Sequence, residues 1–568
     1  MSQLQNFRSH APSPLPPHPI VIPTARETVL TNGLTVLVVE DTRLPLVSYR
    51  LALRAGTAYD PVNLPGLTDM VAGLLPEGTE SRTSRQIADE VARMGASLTA
   101  GANSDYSIVA ASALSKFSDN ILGLMAEVIL EPSFPENEVE LAKQNTKESL
   151  RQQRAQPSFL ATEMVSRVMF GSHPYAVVAP TPESLNLLTR DDIVQFHRTK
   201  FVPNSSVFII AGDILFDEVL PRIEALFSDW EKGADLQTDF PAPPVRTKRA
   251  AYLIDRHGSA QSNIVIANTG ITRTSPDYFP MLLMHTVLGA TASSRLFMNL
   301  REEKGYTYGA YSNLDARRTA GTFRATAEVR TPVTGDSLKE FFYELNRIRT
   351  EPVSEKEISD AKSYLTGVFP IRLETQEGLI DQLVQIKMLN LPSDYLQTYR
   401  DYVQAVTIDD IQRVAAKYVK PDEAAIIVVG DGALVADQIK PYCEEIETYT
   451  TAGKRKKKSE GLGEPGGTDV SGSWSIEIET PLGEIIPATL VITRDALALK
   501  GSIASEMGKA DLGTIDLKDN SFETTTLLET DGHSVEVAIS ARFEGESAEG
   551  SVTIKNSPPL PFLGNKTD

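Results

Sequence analysis

A single cysteine, Cys443, in 568 residues leaves no intrachain disulfide and no cysteine-rich metal site. No run of about 18 apolar residues occurs, so no transmembrane helix is expected. Residues Pro12 to Pro19 are mainly prolines where a signal peptide would carry its apolar core. The chain therefore reads as cytoplasmic, or as periplasmic if an export signal has been removed. Positive charge is short: 55 Lys and Arg stand against 75 Asp and Glu, a net charge of -20. Phosphate recognition needs a concentrated basic face, so a nucleic-acid partner is excluded. The one large cationic run, Lys454 to Lys458, sits among Gly, Ser and Glu and reads as a solvated linker. Histidine is scarce as well, at seven residues. His10 and His18 fall in the proline-rich arm and His173 in the loop SHPYA. His197, His257, His285 and His533 have no second ligand at helical spacing, so all read as surface or satisfied core residues. Neither Gly-x-Ser-x-Gly nor a Walker A sequence is present, which removes serine-hydrolase and P-loop chemistry.

The length is too great for one hydrophobic core, and typical domain sizes divide it into roughly three to five units. Residues 1–22 are too proline-rich to begin a helix and form an extended arm. Beyond Asn32-Gly33, LTVLVVE and LVSYRLALRAG read as two strands of a hairpin or meander. Apolar residues at three- and four-residue spacing predict helices over Gly66–Leu75, Ser84–Met94, Lys116–Leu130 and Glu136–Gln153.

An internal repeat organises the first three quarters of the chain. Without a gap, TRDDIVQFHRTKFVPNSSVFIIAGD (Thr189 to Asp213) aligns with TIDDIQRVAAKYVKPDEAAIIVVGD (Thr407 to Asp431), an offset of 218 residues. Both copies run helix, Pro turn, apolar strand, Gly-Asp, and each is followed by a further amphipathic helix, over Phe216–Trp230 and Ala433–Thr448. LTVLVVEDTRLPLVSYRLALRAG corresponds loosely to AAYLIDRHGSAQSNIVIANTG. The expectation is an α+β fold: two repeats, residues 23–235 and 250–448, each a mainly antiparallel sheet with helices packed on it, joined by a linker at 236–249. A basic, Gly-rich linker at 449–468 leads to residues 469–568. There Trp474, Ile476 and Ile478 alternate with Ser475, Glu477 and Glu479, and the pattern recurs through LVI, LALKG, VEVAI and SVTI. This last unit is predicted to be an all-β barrel or sandwich, with Trp474 as an aromatic plug at one end.

PGLTDMVAGLLPEGT, Pro65 to Thr79, resembles the inverted zinc motif of the pitrilysin-type (inverzincin) peptidases, PGLAHxxEHxxFxGT. In that resemblance the first His position is Asp69, the Glu position Ala72 and the second His position Gly73, and the family's third ligand falls near Glu148. A zinc hydrolase needs three protein ligands and a base for the bound water. Of these positions only Asp69 and Glu148 keep a ligand atom, so no metal is expected in this chain and no peptide hydrolysis by it alone.

ASSRLFMNLREEKGYTYGAYSNL, Ala292 to Leu314, reads as an amphipathic helix through Lys304, a Gly305 stop, and a strand with Tyr306, Tyr308 and Ala310 on one face. It is similar to the family's SRLFxxLRExxGLxYxV, whose Arg and Tyr reach a zinc site in the other half of the enzyme. By resemblance these are Arg301 and Tyr308. The likeness spans roughly residues 25 to 447 and leaves out the arm and the β unit. It implies the pitrilysin/LuxS-like fold and the non-catalytic subunit of a heterodimeric metalloendopeptidase, like mitochondrial processing peptidase or the small bacterial members that divide the two sites between chains. The implied partner is a homologue with an intact His-x-x-Glu-His that holds the zinc, and the implied substrates are unfolded peptides. Two rivals stand beside this: a structural or binding homologue with no part in proteolysis, and a protein whose β unit binds a ligand or tethers the assembly.

Overall fold

The computed structural model describes residues 22–236, 239–456, 470–479, 485–495, 498–506, 508–517, 520–530, 533–544, 547–554, 557 and 559–567. The proline-rich arm, with His10 and His18, lies outside them. Two compact units are present, the first ending at Lys457 and the second beginning at Lys458.

The first sheet contains β1 (Arg26–Val29), β2 (Thr35–Glu40), β3 (Leu46–Leu53), β4 (Ser97–Ala102), β5 (Ser107–Leu114) and β6 (Ser206–Gly212), in the order β1-β2-β6-β3-β5-β4. The hairpin expected for β2 and β3 does not form. Strand β6 lies between them, parallel to β2 and antiparallel to β3. The cause is burial: all seven residues of β6 are inaccessible, so this strand needs a neighbour on both edges and cover on both faces. The second sheet comprises β7 (Ala250–Asp255), β8 (Gln261–Thr269), β9 (Thr307–Ala316), β10 (Gly321–Arg330), β11 (Ala425–Gly430) and β12 (Ile446–Tyr449), in the order β12-β7-β11-β8-β10-β9. Five strands of each sheet follow the same path; the sixth comes from the start of the first domain and from the end of the second. The helix expected over Ala433–Thr448 is accordingly shorter, Gly432–Ile439, because its tail is drawn into β12.

The repeated motif has a local reason in each copy. Thr189 and Thr407 cap helices Arg190–Lys200 and Ile408–Tyr418, each in a reciprocal box with the Asp three residues on. Each Gly-Asp closes a central strand. Gly212 has φ 146° and a side chain there would strike the Leu46 carbonyl, while Asp431 accepts from the Ala433 N–H at 3.1 Å and starts the next helix.

Helices are exchanged between the domains. Helix Gln376–Met388 of the second domain packs across β3 and β6 of the first, and its Leu379, Ile380 and Val384 share one core with Leu37, Ala52, Val207 and Ile209. Reciprocally, helix Pro157–Phe170 of the first domain lays Leu160, Met164 and Met169 against Val265, Ile427 and Val429 of the second sheet. Each such side chain, buried whole, contributes about 1.5–3 kcal/mol. The connection between the domains is held down too: Phe240 packs against Tyr59 and His173, and Arg249 stacks 4.2 Å over Phe342. Beyond β12, Arg455 pairs with Glu447 at 3.3 Å and Lys456 with Asp255 at 2.9 Å, so this part of the cationic run is bound to the second domain rather than free.

The second unit is a closed antiparallel barrel of β13 (Gly472–Glu479), β14 (Ile485–Asp495), β15 (Ala498–Ser505), β16 (Gly508–Ile515), β17 (Ser521–Thr530), β18 (His533–Glu544), β19 (Ser547–Ile554) and β20 (Leu560–Lys566), with β13 pairing both β14 and β20. The alternating pattern turns Trp474, Ile476, Leu490, Ile539, Phe543 and Phe562 inward, where they fill the lumen. Trp474 is wholly buried against Phe543, ring centres 4.8 Å apart, and its indole N–H donates to the Val470 carbonyl at 3.1 Å.

Candidate functional site

The zinc-motif segment forms helix Leu67–Leu74, entered through Gly66 in the left-handed region at φ 94°. Its first turn is tied by Asp60, which accepts from the Gly66 N–H at 2.7 Å, the Thr68 N–H at 2.8 Å and the Thr68 hydroxyl at 2.5 Å. A carboxylate here satisfies the free N–H groups of a helix start. Asp69 and Gly73, one turn apart, share the open face. Asp69 is exposed, and a side chain at Gly73 would meet no atom within 4 Å. Ala72, three residues on from Asp69, is wholly buried. Asp69 reaches water on one side while protein walls it on the others. That desolvation, with the Asp60 charge second, pushes its pKa up to about 6.

Glu148 lies exposed on helix Glu136–Arg154, paired with Arg151 at 3.3 Å; this helix meets the motif helix where the Thr146 hydroxyl lies 3.8 Å from the Met70 sulfur. These residues do not fit a catalytic zinc ion: of the three motif positions only Asp69 has a ligand atom, and no general base stands at Ala72. Among the described residues no group of three or more His, Cys, Asp or Glu side chains is placed to hold a metal.

The Arg301 and Tyr308 segment departs from the expected plain helix and strand. A short turn at Arg295–Phe297 widens into a π-helical stretch, Met298–Glu303, and Gly305, at φ 64°, reverses the chain into β9. The inner side of the stretch is anchored. Arg295 pairs with Glu357 at 2.7 Å, and the Asn299 amide donates to Glu344 at 2.9 Å and Glu340 at 3.1 Å. Its outer side carries Arg301, nearly half exposed, 3.5 Å from Glu302 and 4.8 Å over the ring of Phe297.

In β9, Ala310 pairs with Ala327 and Thr307 with Val329, so Tyr308 and Gly309 together oppose Glu328 alone. This is a β-bulge, stitched by the Thr307 hydroxyl, which lies 2.6 Å from the Glu328 carbonyl oxygen and accepts from the Gly309 N–H at 3.1 Å. Strict alternation puts Tyr308 and Ala310 on one face. The bulge breaks it, leaving Ala310 wholly buried and Tyr308 87% exposed. Arg301 and Tyr308 thus stand exposed on neighbouring elements, and the Phe297 ring under Arg301 packs 5.7 Å from the ring of Tyr311.

The remaining polar side chains in SHPYA knit the domains together. The Tyr175 hydroxyl donates to buried Asp105, which also accepts from the Arg318 N–H at 3.2 Å; Arg317 donates to Ser104 at 2.9 Å and lies 4.9 Å over the Tyr175 ring; Arg318 reaches the Tyr59 hydroxyl at 2.8 Å. His173 accepts from the Tyr175 N–H and meets the Thr319 hydroxyl at 3.1 Å. Burial, with Arg317 nearby, pushes its pKa down. His197 and His285 are pushed by burial to about 4, bound to the Ile129 carbonyl and the Ser312 hydroxyl. These are satisfied core histidines. The partners of Asp105 lie far away in sequence, and no local pattern marks them.

Two sheet domains, the first carrying an inverted metal motif in which only Asp69 of the three positions keeps a ligand atom, define the fold of a metallopeptidase family. The chain belongs to the M16 peptidase family: residues 35–181 match "Insulinase (Peptidase family M16)" and residues 187–365 match "Peptidase M16 inactive domain". It is 21% identical to the "Uncharacterized zinc protease YmxG" of Bacillus subtilis, over 71% of this chain and 97% of that one. To the "Non-peptidase homolog YmxG" of Helicobacter pylori it is 22% identical, over 70% of this chain and 91% of the relative. Among solved structures, a peptidase M16 inactive domain from Pseudomonas fluorescens aligns with a TM-score of 0.67 and 26% identity, covering 72% of this chain and 98% of the other. A protease from Helicobacter pylori shares the fold at a TM-score of 0.67 and 18% identity, over 72% of this chain and 100% of that one.

Proposed function

We propose that this chain is the non-catalytic subunit of a two-chain zinc peptidase, presenting Arg301 and Tyr308 to the zinc site of a homologous partner with an intact His-x-x-Glu-His. The observation that carries this is the pairing of loss with retention: Asp69, Ala72 and Gly73 stand at the metal-motif positions, while a bulge in β9 turns Tyr308 into solvent and Arg301 stays exposed on the preceding π-helical stretch. A buried tyrosine would be packing; an almost fully exposed one on a bulged edge strand is free to meet another molecule. Peptide hydrolysis builds negative charge on the scissile carbonyl oxygen. A phenol hydroxyl and a guanidinium both donate to such an oxygen or to substrate backbone. The partner would supply zinc, water and base, and an unfolded peptide would lie between the two chains.

The test mixes the purified chain with a candidate partner from the same genome and follows cleavage of an unstructured fluorogenic peptide. Activity is expected only from the mixture, and Arg301→Ala or Tyr308→Phe is expected to reduce turnover roughly tenfold or more, the scale of losing one transition-state donor. Full activity of the partner alone would overturn the proposal. The name of the Helicobacter pylori relative favours a second reading, a family member with no role in proteolysis; it requires both substitutions to leave cleavage by the mixture unchanged.

A further inference from the structure

Arg301 and Tyr308 sit on a π-helical stretch and a bulge, two irregular elements that do not by themselves hold a side chain to a fixed spacing. What joins them is a short run of contacts. The Arg301 guanidinium carbon lies 4.8 Å over the Phe297 ring. The Phe297 ring packs against the Tyr311 ring at 5.7 Å and 55°. The Tyr311 ring in turn lies over Gly309, the second residue of the bulge: a Cβ on Gly309 would come within 2.6 Å of the ring and 2.9 Å of its hydroxyl oxygen. Gly309 has an ordinary negative-side φ, so no backbone strain demands glycine here. A Cβ there would instead push the Tyr311 ring aside. Phe297 is almost fully buried and rests on a segment anchored by Arg295–Glu357 and Asn299–Glu344, so the platform is rigid from below.

We infer that Phe297 and Tyr311, with Gly309 as the clearance they need, form an aromatic bracket that sets the position of Arg301 relative to Tyr308; these are positioning residues for the divided active site. The inference rests on the proposed function above. A cation over a ring is attracted to its face, and ring-on-ring contact of this kind resists sliding, so the bracket reduces the freedom both donors would otherwise lose in the transition state.

Steady-state cleavage by the two-chain mixture tests this. Tyr311→Ala, at a half-exposed edge position that folding tolerates, is expected to lower kcat about fivefold to tenfold with KM changed less than twofold, whereas Tyr311→Phe, which keeps the ring, is expected to retain full kcat. Gly309→Ala is expected to lower kcat to a similar extent by displacing the ring. In an Arg301→Ala background, Phe297→Leu is expected to add far less to the loss than it causes in the wild-type background, because it acts largely through the guanidinium. Full kcat in Tyr311→Ala, or an undiminished further loss from Phe297→Leu in the Arg301→Ala background, would overturn the bracket while leaving the divided site standing. If Arg301→Ala and Tyr308→Phe are themselves silent, the divided site fails and the bracket with it.

Discussion

At the scale of the residue, the clearest consequence of the lost metal motif is electrostatic. Asp69 stands where the family motif has its first histidine, with its carboxylate pushed up to about 6 by desolvation and the neighbouring Asp60. The ordinary value is 3.8, so between about pH 4 and 6 the folded chain binds more protons than the unfolded one, and stability falls as pH rises through that window. The cost then persists at higher pH. Asp69→Asn is expected to raise the thermal midpoint at about pH 7.5 and to change it little near pH 3, where the carboxyl is largely protonated in both states. An equal effect at both pH values would show that the amide acts through packing. The motif's departure was legible in the sequence, since a missing imidazole is visible as a letter. The electrostatic state of what replaced it was not, because desolvation is a property of everything folded around the group.

At the scale of the element, what the sequence showed and what it hid divide by range. Helices Ser84–Met94 and Glu136–Arg154 lie where apolar spacing puts them, and the Thr-x-x-Asp boxes mark both copies of the repeated helix. Caps and amphipathic stripes are written within a few residues of the element they govern. The separation of β2 from β3 was hidden, as were the π-helical turn at Met298–Glu303 and the bulge at Tyr308-Gly309. Each depends on a partner elsewhere in the chain: β6 for the first, the Glu340 and Glu344 carboxylates for the second, Glu328 on β10 for the third. The exchanged helices make the same point with an energetic consequence. Met164 belongs to the first domain but is buried on the second sheet. Met164→Ala should cost about 2–5 kcal/mol, and it should shift the unfolding of both domains together. Fluorescence of Trp230, which is tied into the first domain by its bond to the Phe201 carbonyl, reports whether it does. A Trp230 transition left at its wild-type denaturant midpoint would mean that the two domains unfold independently.

At the scale of the whole molecule, the two units have separate cores: several clusters packed on the two sheets of the first, and one filling the barrel lumen of the second. The sequence has two tryptophans, and they fall one in each unit, Trp230 and Trp474. Ending the chain at Lys457 is therefore expected to leave the unfolding free energy read from Trp230 within about 0.5 kcal/mol of the full-length value and cleavage by the two-chain mixture intact. Loss of cleavage with the midpoint unchanged would assign the barrel a direct part in function, and a collapsed midpoint would show that it stabilises the peptidase-like unit.

The sequence by itself determined the class of fold, the repeated motif, the barrel's alternation and the loss of the zinc ligands, because all of these are carried by local periodicity or by the identity of single residues. Only the tertiary structure decided how Arg301 and Tyr308 are presented. Whether Tyr308 faces the core or the solvent turns on a one-residue mismatch in pairing with β10, and the position of Arg301 turns on rings that meet only after the chain has reversed at Gly305. Side-chain direction in a strand follows its pairing partner, and that partner is chosen by the fold.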